Sequence, residues 1–284
     1  MKILGLMMVR NGADRIARTL DAMQGFCDEA YVIDDRSADL TLPLLLRHPV
    51  VTNVFQVHPA ISQQDWFFPE SMSLNLLYRM ADFSVPDWVI FLDDDQIVES
   101  RDHLRGILSG VPSSVAGLLT PVVSTWSDPD YPLMVPLMGK AMTLQGNIWR
   151  YYPGLESGSK PLHNGHLPVN IERFGRIERI DSITFIHHGW NTLRKRIAKV
   201  DLYQSLDPDG KYNFGVPYDQ GLLFGYGRGA LKALLQEYRR RFAQHDAKLP
   251  RMEPESMRLC SRDCQVLTGR KSRSGGRWTP LCTS

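Results

Sequence analysis

The chain has 284 residues, 43% hydrophobic and 23% charged, which suits a packed core and excludes a disordered or fibrous protein. A net charge of +2 excludes a nucleic-acid coat or a polybasic membrane anchor by bulk charge, although residues 245–284 carry a net +4 and the rest −2. The four cysteines, Cys27, Cys260, Cys264 and Cys282, are too sparse for a disulfide framework, and no second pair joins Cys260 and Cys264 in a zinc site. No window approaches the ~18 apolar residues of a membrane span, and the apolar run over 3–9 is too short for a signal peptide. The expectation is a cytoplasmic protein that touches the inner membrane surface only peripherally.

The start reads as strand, loop, helix, strand. Residues 3–9 are a continuous apolar run, as in a buried parallel strand, broken by Arg10-Asn11-Gly12. Residues 13–23 place Ile16, Leu20 and Met23 on one helical face. A strand over 30–33 ends at Asp34-Asp35-Arg36-Ser37. A helix over 40–46, a strand over 50–57 and a helix over 70–81 follow. A strand over 88–92 then ends at Asp93-Asp94-Asp95. Strands alternating with helices predict a doubly wound, mostly parallel sheet, with ligands at the edge where the polar clusters lie. From 109 to 165 the chain is rich in Pro, Gly and aromatics and reads as short strands among long loops. A strand over 183–186 precedes His187-His188-Gly189-Trp190. Basic helices over 193–206 and 229–243 come next, and 265–284 reads as a mobile tail.

Three clusters carry the chemistry. Three adjacent carboxylates after a buried strand repel one another and call for a cation, with hard oxygen donors favouring Mg²⁺, Mn²⁺ or Ca²⁺. In an extended chain Asp93 and Asp95 point to one side and Asp94 to the other. Asp34 and Asp35, after the second strand, stand where carboxylates accept hydrogen bonds from a base or ribose, although Ser37 or Asp39 also serves there as a helix cap. A histidine of the 187–188 pair beside carboxylates shifts the metal toward Mn²⁺.

Together, residues 10–15, 32–39, 88–95 and 186–190 resemble the motifs of family 2 glycosyltransferases with a GT-A fold, in the same order and spacing over residues 1–205. The bacterial envelope-polysaccharide subgroup is the most similar. The resemblance implies a Rossmann-like central sheet and an inverting, metal-dependent transfer of a sugar from a nucleotide-diphosphate sugar, UDP-sugar by default. The acceptor would be a glycan, a glycolipid or another hydroxyl, with a nucleic-acid acceptor open because of the basic tail. It implies donor contacts for Arg10, Asn11, Asp34, Asp35, Asp93 and Asp94, and a Mn²⁺ or Mg²⁺ ion on Asp93, Asp95 and His187. Asp93 would also lie near the sugar or ribose. Glu172 would be the general base, with Asp181 as the alternative. Departures are Gly12 and Gln96, each where the family has Glu, and Leu74-Asn75 where it has Arg-Asn.

The implied organisation is a GT-A domain over 1–244, with a nucleotide-binding half at 1–99, an acceptor and metal half at 100–206 and helices at 207–244. The basic tail at 245–284 follows. Two rivals share parts of this pattern. A nucleotidyltransferase would also use an acidic metal site, but would add a Gly-rich phosphate loop near the first strand, where only Gly12 stands. A non-catalytic glycan- or nucleotide-binding protein would need the same pocket without turnover.

Overall fold

The structure, a computed structural model, describes residues 1–58, 69–99, 103–124, 142–189, 193–211, 268–271 and 278–281. The described elements in chain order are β1 (Ile3–Val9), α1 (Ile16–Gln24), β2 (Glu29–Asp34), α2 (Thr41–Arg47), β3 (Val51–Gln56), α3 (Glu70–Ser84), β4 (Trp88–Phe91), β5 (Gln96–Val98) and α4 (Leu104–Gly110). They continue with β6 (Val115–Ser124), β7 (Met142–Arg150), a 3₁₀ turn (Ile171–Arg173), β8 (Arg176–Arg179), β9 (Phe185–His187), α5 (Leu193–Leu206), β10 (Thr268–Lys271) and β11 (Trp278–Leu281).

The result is a mixed α/β structure around one sheet, ordered β11-β10-β3-β2-β1-β4-β7-β6-β9-β5, with β8 beside β6. The first half is the doubly wound part: β3, β2, β1 and β4 are all parallel. Beyond β4 the sheet is mixed: β7 runs antiparallel to both β4 and β6, while β8 and β9 run parallel to β6.

The two-residue repeat of a strand divides the core into two layers. Ile3, Met7 and Val9 of β1, Val32 of β2 and Ile90 of β4 pack on one face with Ile16, Leu20 and Met23 of α1, Leu45 of α2 and Leu104 and Leu108 of α4. Leu4 and Leu6, Tyr31 and Ile33, and Val89 and Phe91 pack on the other with Leu74, Leu77, Tyr78 and Ala81 of α3. Burial on both faces explains why β1 tolerates no polar residue.

Three expectations change. The 109–165 stretch holds the ten-residue β6 and the nine-residue β7 rather than short strands. Gly117 and Gly146 serve a steric purpose in these strands: a Cβ would lie 3.0 Å from Leu167 at Gly117 and 2.6 Å at Gly146, so the paired strands seat that side chain. The aspartate segment is not extended. Gln96 N–H donates to Asp93 O at 3.0 Å, closing a tight turn. Finally, within the stretch read as a mobile tail, β10 and β11 pair antiparallel and β10 lies beside β3.

The chain divides into two compact units, one of 1–124, 142–188 and 266–284 and one of 125–141 and 189–265. The first holds the sheet. In the second, α5 spans the residues expected for it. The predicted helix over 229–243, with Arg239, Arg240 and Arg241, lies outside the described residues, as do Trp190, Cys260, Cys264 and Cys282.

Candidate active site

The parallel register aligns Val9 with Asp34 and Leu6 with Phe91, so the loops after β1, β2 and β4 leave the sheet at one edge. Arg10–Gly12, Asp34–Arg36 and Asp93–Asp95 follow those three strands. This is the edge at which open α/β sheets bind ligands.

The first two loops are laced together. Asn11 adopts a left-handed backbone, φ +50°, which asparagine tolerates. Its N–H donates to Ser37 Oγ at 2.9 Å, and its Oδ1 accepts from Ala38 N–H at 2.8 Å. Gly12 N–H donates to Thr41 Oγ1 at 2.7 Å. Asp35 is gripped by Arg10 Nη1 at 3.3 Å and by Arg36 Nε at 2.8 Å. Asp34 is fully buried. Its Oδ2 accepts from Ser37 N–H at 3.3 Å and Gln56 Nε2 at 3.4 Å, while Oδ1 has no hydrogen-bond partner among the described residues. Burial pushes its pKa up, with the neighbouring Asp35 charge adding to the rise. Asp34 supports the loop from below and Asp35 is the more accessible of the two.

Gly12 has a steric reason to be glycine. A Cβ there would lie 2.6 Å from Val9 Cγ2 and 2.7 Å from Asp94 Oδ2. Gly12→Ala is therefore expected to destabilise the fold by about 1–3 kcal/mol, as overpacking does. Chemical denaturation checks this; an unchanged midpoint would contradict it.

The turn sends the three aspartates to three places. Asp94 Oδ2 meets Arg15 Nη2 of the α1 entry at 2.6 Å, and Thr19 Oγ1 donates to Asp94 O at 2.9 Å. Asp94 thus locks the turn onto α1. Asp95 is buried, and its Oδ1 lies 3.1 Å from His187 Nε2. The pairing of β5 with β9 sets Gln96 opposite His187, and His188 N–H donates to Asp95 O at 2.8 Å. Asp93 remains more than a third exposed; Gln96 Nε2 donates to its Oδ2 at 2.8 Å, and His166 Nε2 lies 3.5 Å from its Oδ1.

Among the described residues no three His, Cys, Asp or Glu side chains converge as a ready-made metal cage. Two do meet in a suitable way. Donors about 2.1 Å from one octahedral ion sit about 3 Å apart, the separation of Asp95 Oδ1 and His187 Nε2. One carboxylate and one imidazole fit Mn²⁺ or Mg²⁺, ions that take their remaining ligands from phosphates and water.

Sequence reading missed three residues here, His166, Asn147 and Glu70, and the contacts of a fourth, Gln96. His166 is stacked on Phe91 with ring centroids 4.1 Å apart, and its Nδ1 is 3.0 Å from Oδ1 of the fully buried Asn147. Burial pushes its pKa down. Gln96 is buried between Asp93 and Asn147. Glu70, at the start of α3, accepts from Asn164 N–H at 3.0 Å; burial, with the Asp93 charge adding to it, raises its pKa to about 7. A single polar residue gives no periodic signal, so only tertiary contact reveals the place of these residues in the site.

The two candidate bases are both exposed. Glu172 is exposed on the 3₁₀ turn. Asp181 is exposed and bridged to Arg179 Nε at 2.8 Å. Of the aromatic side chains nearby in sequence, Trp149 is core, packed edge-on to Tyr78. Tyr151 O–H donates to Asp82 Oδ1 at 3.0 Å, and Tyr152 stacks on Phe174.

No family profile matches the chain. It is 47% identical over 241 residues to an uncharacterized protein of Mycobacterium tuberculosis and to one of Mycobacterium bovis. The matched region is 85% of this chain but 59% of each relative, so the chain spans less than two thirds of their length. Among solved structures, it is similar to Staphylococcus aureus TarS 1–349 in complex with UDP-GlcNAc, at TM-score 0.47 and 14% identity over 78% of this chain and 70% of that one. It is also similar to Mycobacterium tuberculosis glucosyl-3-phosphoglycerate synthase with Mn²⁺, UDP and glucosyl-3-phosphoglycerate, at TM-score 0.40 and 16% identity over 72% and 79%. No helix among the described residues is long and apolar enough to cross a membrane.

Proposed function

We propose that the protein is a metal-dependent inverting glycosyltransferase that takes a sugar from a nucleotide-diphosphate sugar, with UDP-sugar as the default donor. The observation that carries this reading is the contact of Asp95 with His187 at the sheet edge, beside an accessible Asp93 and the Asp34–Asp35 pair. Asp95 and His187 would hold Mn²⁺ or Mg²⁺, which when bound supplies charge neutralisation for the departing diphosphate.

The chain's own residues divide the rest of the work. Asp35 accepts from the nucleotide, oriented by Arg10 and Arg36, and Asn11 holds the loop that carries Arg10. Asp93 faces the donor's hydroxyls, and Asp94 keeps the turn in place through Arg15. The acceptor's hydroxyl oxygen bonds to the anomeric carbon as the bond from that carbon to the diphosphate oxygen breaks. The electron pair leaves with the diphosphate, and the hydroxyl proton goes to a carboxylate. Glu172 is the favoured base, because Arg179 already occupies Asp181. A glycan or glycolipid is the default acceptor by resemblance, in polysaccharide synthesis at the cytoplasmic face of a membrane. A nucleic-acid acceptor is the alternative that the basic tail leaves.

Incubation with Mn²⁺ and a panel of UDP-sugars tests the reading. Slow release of free UDP without acceptor, abolished by EDTA, is the expected result. Pyrophosphate release from a nucleoside triphosphate and a sugar phosphate would instead identify a nucleotidyltransferase, and binding without turnover a non-catalytic protein.

A further inference from the structure

His166 has no role in the reading above, yet three contacts of its own and two of its neighbours fix it in an irregular segment. Phe91 stacks on its ring, Asn147 meets Nδ1, Tyr78 O–H donates to its backbone oxygen at 2.7 Å, and Leu167 next to it is seated on Gly117 and Gly146. Upstream, Asn164 N–H is held by Glu70. The side chain is only 11% exposed, and its remaining ring nitrogen faces the 37% exposed Asp93.

The hydrogen-bond network assigns the ring's proton. A carboxylate only accepts, so the Gln96 atom 2.8 Å from Asp93 Oδ2 is the amide nitrogen. Gln96 Oε1 then accepts from Asn147 Nδ2 at 3.5 Å and from Asp93 N–H at 3.4 Å. Asn147 Oδ1 is left for His166, and Nδ1 carries the hydrogen that meets it. In the neutral ring Nε2 is therefore a lone pair, facing the carboxylate oxygen Asp93 Oδ1 across 3.5 Å. Two acceptors face each other with no donor of their own between them. A hydroxyl about 2.8 Å from each would place its single hydrogen between them as a bifurcated donor.

We propose that His166 Nε2 and Asp93 Oδ1 form a paired acceptor for a hydroxyl of the sugar nucleotide, which makes His166 a specificity-determining residue. This rests on the glycosyltransferase reading and adds the ligand group that the pair selects. The hydroxyl belongs to the ribose or to the hexose, and deoxy analogues distinguish the two. A site built to bond a hydroxyl rejects the analogue lacking it, because its acceptors are left unpaired.

The test is calorimetric binding with Mn²⁺ of two ligand pairs: UDP against 2′-deoxy-UDP, and UDP-glucose against UDP-2-deoxyglucose. Wild-type protein is expected to prefer the hydroxylated member of one pair by about tenfold. His166→Phe keeps the stack on Phe91 but removes the lone pair, and is expected to reduce that preference below twofold. His166→Gln supplies an amide oxygen and is expected to recover most of it. A merely structural role would weaken all four ligands alike and leave the ratios unchanged. A folded His166→Phe that keeps the wild-type ratio overturns the inference. So do wild-type ratios below twofold for both pairs, whatever the variants do, and the glycosyltransferase reading then stands. If wild-type protein binds none of the four ligands, both fall.

Discussion

Asp95→Asn is expected to cut UDP release from a UDP-sugar in Mn²⁺ by about a thousandfold while the protein stays folded. Asp95 is one of two donors at ligand spacing, and it is the charged one. The amide has almost the same shape and keeps one oxygen, but loses the charge that draws a divalent ion into a buried position. The leaving diphosphate then departs without compensation, and one preorganised electrostatic group of this kind is worth about 10²–10³ in rate. His187→Ala is expected to act in the same direction and less strongly, because an imidazole supplies a bond but no charge. Initial rates across a Mn²⁺ titration, with circular dichroism on the same samples, check both. A folded Asp95→Asn protein within tenfold of wild type would remove the metal from the proposed mechanism.

Glu70→Gln is expected to flatten the dependence of stability on pH. Glu70 is partly buried, and its pKa stands near 7 against an ordinary 4.5. Burial disfavours its charged form first, and the Asp93 charge adds to this. For an acid whose folded value is raised, the unfolded chain loses its proton more easily. Folding therefore becomes less favourable as pH climbs from about 4.5 to about 7, with the full cost present above that range. After allowance for partial exposure the cost is about 1–3 kcal/mol. Between pH 5 and pH 8 the wild type is expected to lose that much stability relative to Glu70→Gln, whose amide oxygen still accepts from Asn164. Asp34, also raised, is common to both proteins and cancels in the comparison. Denaturant midpoints at the two pH values measure the difference, and parallel curves would show that Glu70 titrates normally.

The doubly wound half of the sheet was legible because its signals are local. The run over 3–9 and the strands ending at Asp34 and before Asp93 are apolar on both faces, and the intervening helices repeat at helical spacing. The middle of the chain was harder to read. Gly117 and Gly146 look like breakers when taken singly, and only their joint packing against Leu167 shows them as strand residues. Alternation misjudged the aspartate trio because one backbone hydrogen bond, Gln96 to Asp93, turns the chain there. Asp94 consequently serves α1 through Arg15, and Asp93 meets His166 rather than Asp95's partner.

By itself the sequence determined which residues carry charge at the ends of buried strands. Burial on both faces of a strand demands an apolar run, and the first polar residues after it must lie at the sheet edge. Only the tertiary structure decided how those residues pair. Which histidine faces which aspartate depends on strands far apart in the chain: β5 with β9 brings Asp95 to His187, and β4 with β7 brings the Asp93 turn to Asn147 and, through it, to His166. Hydrogen-bond register and side-chain volume fix such contacts, and neither leaves a periodic trace in the order of residues.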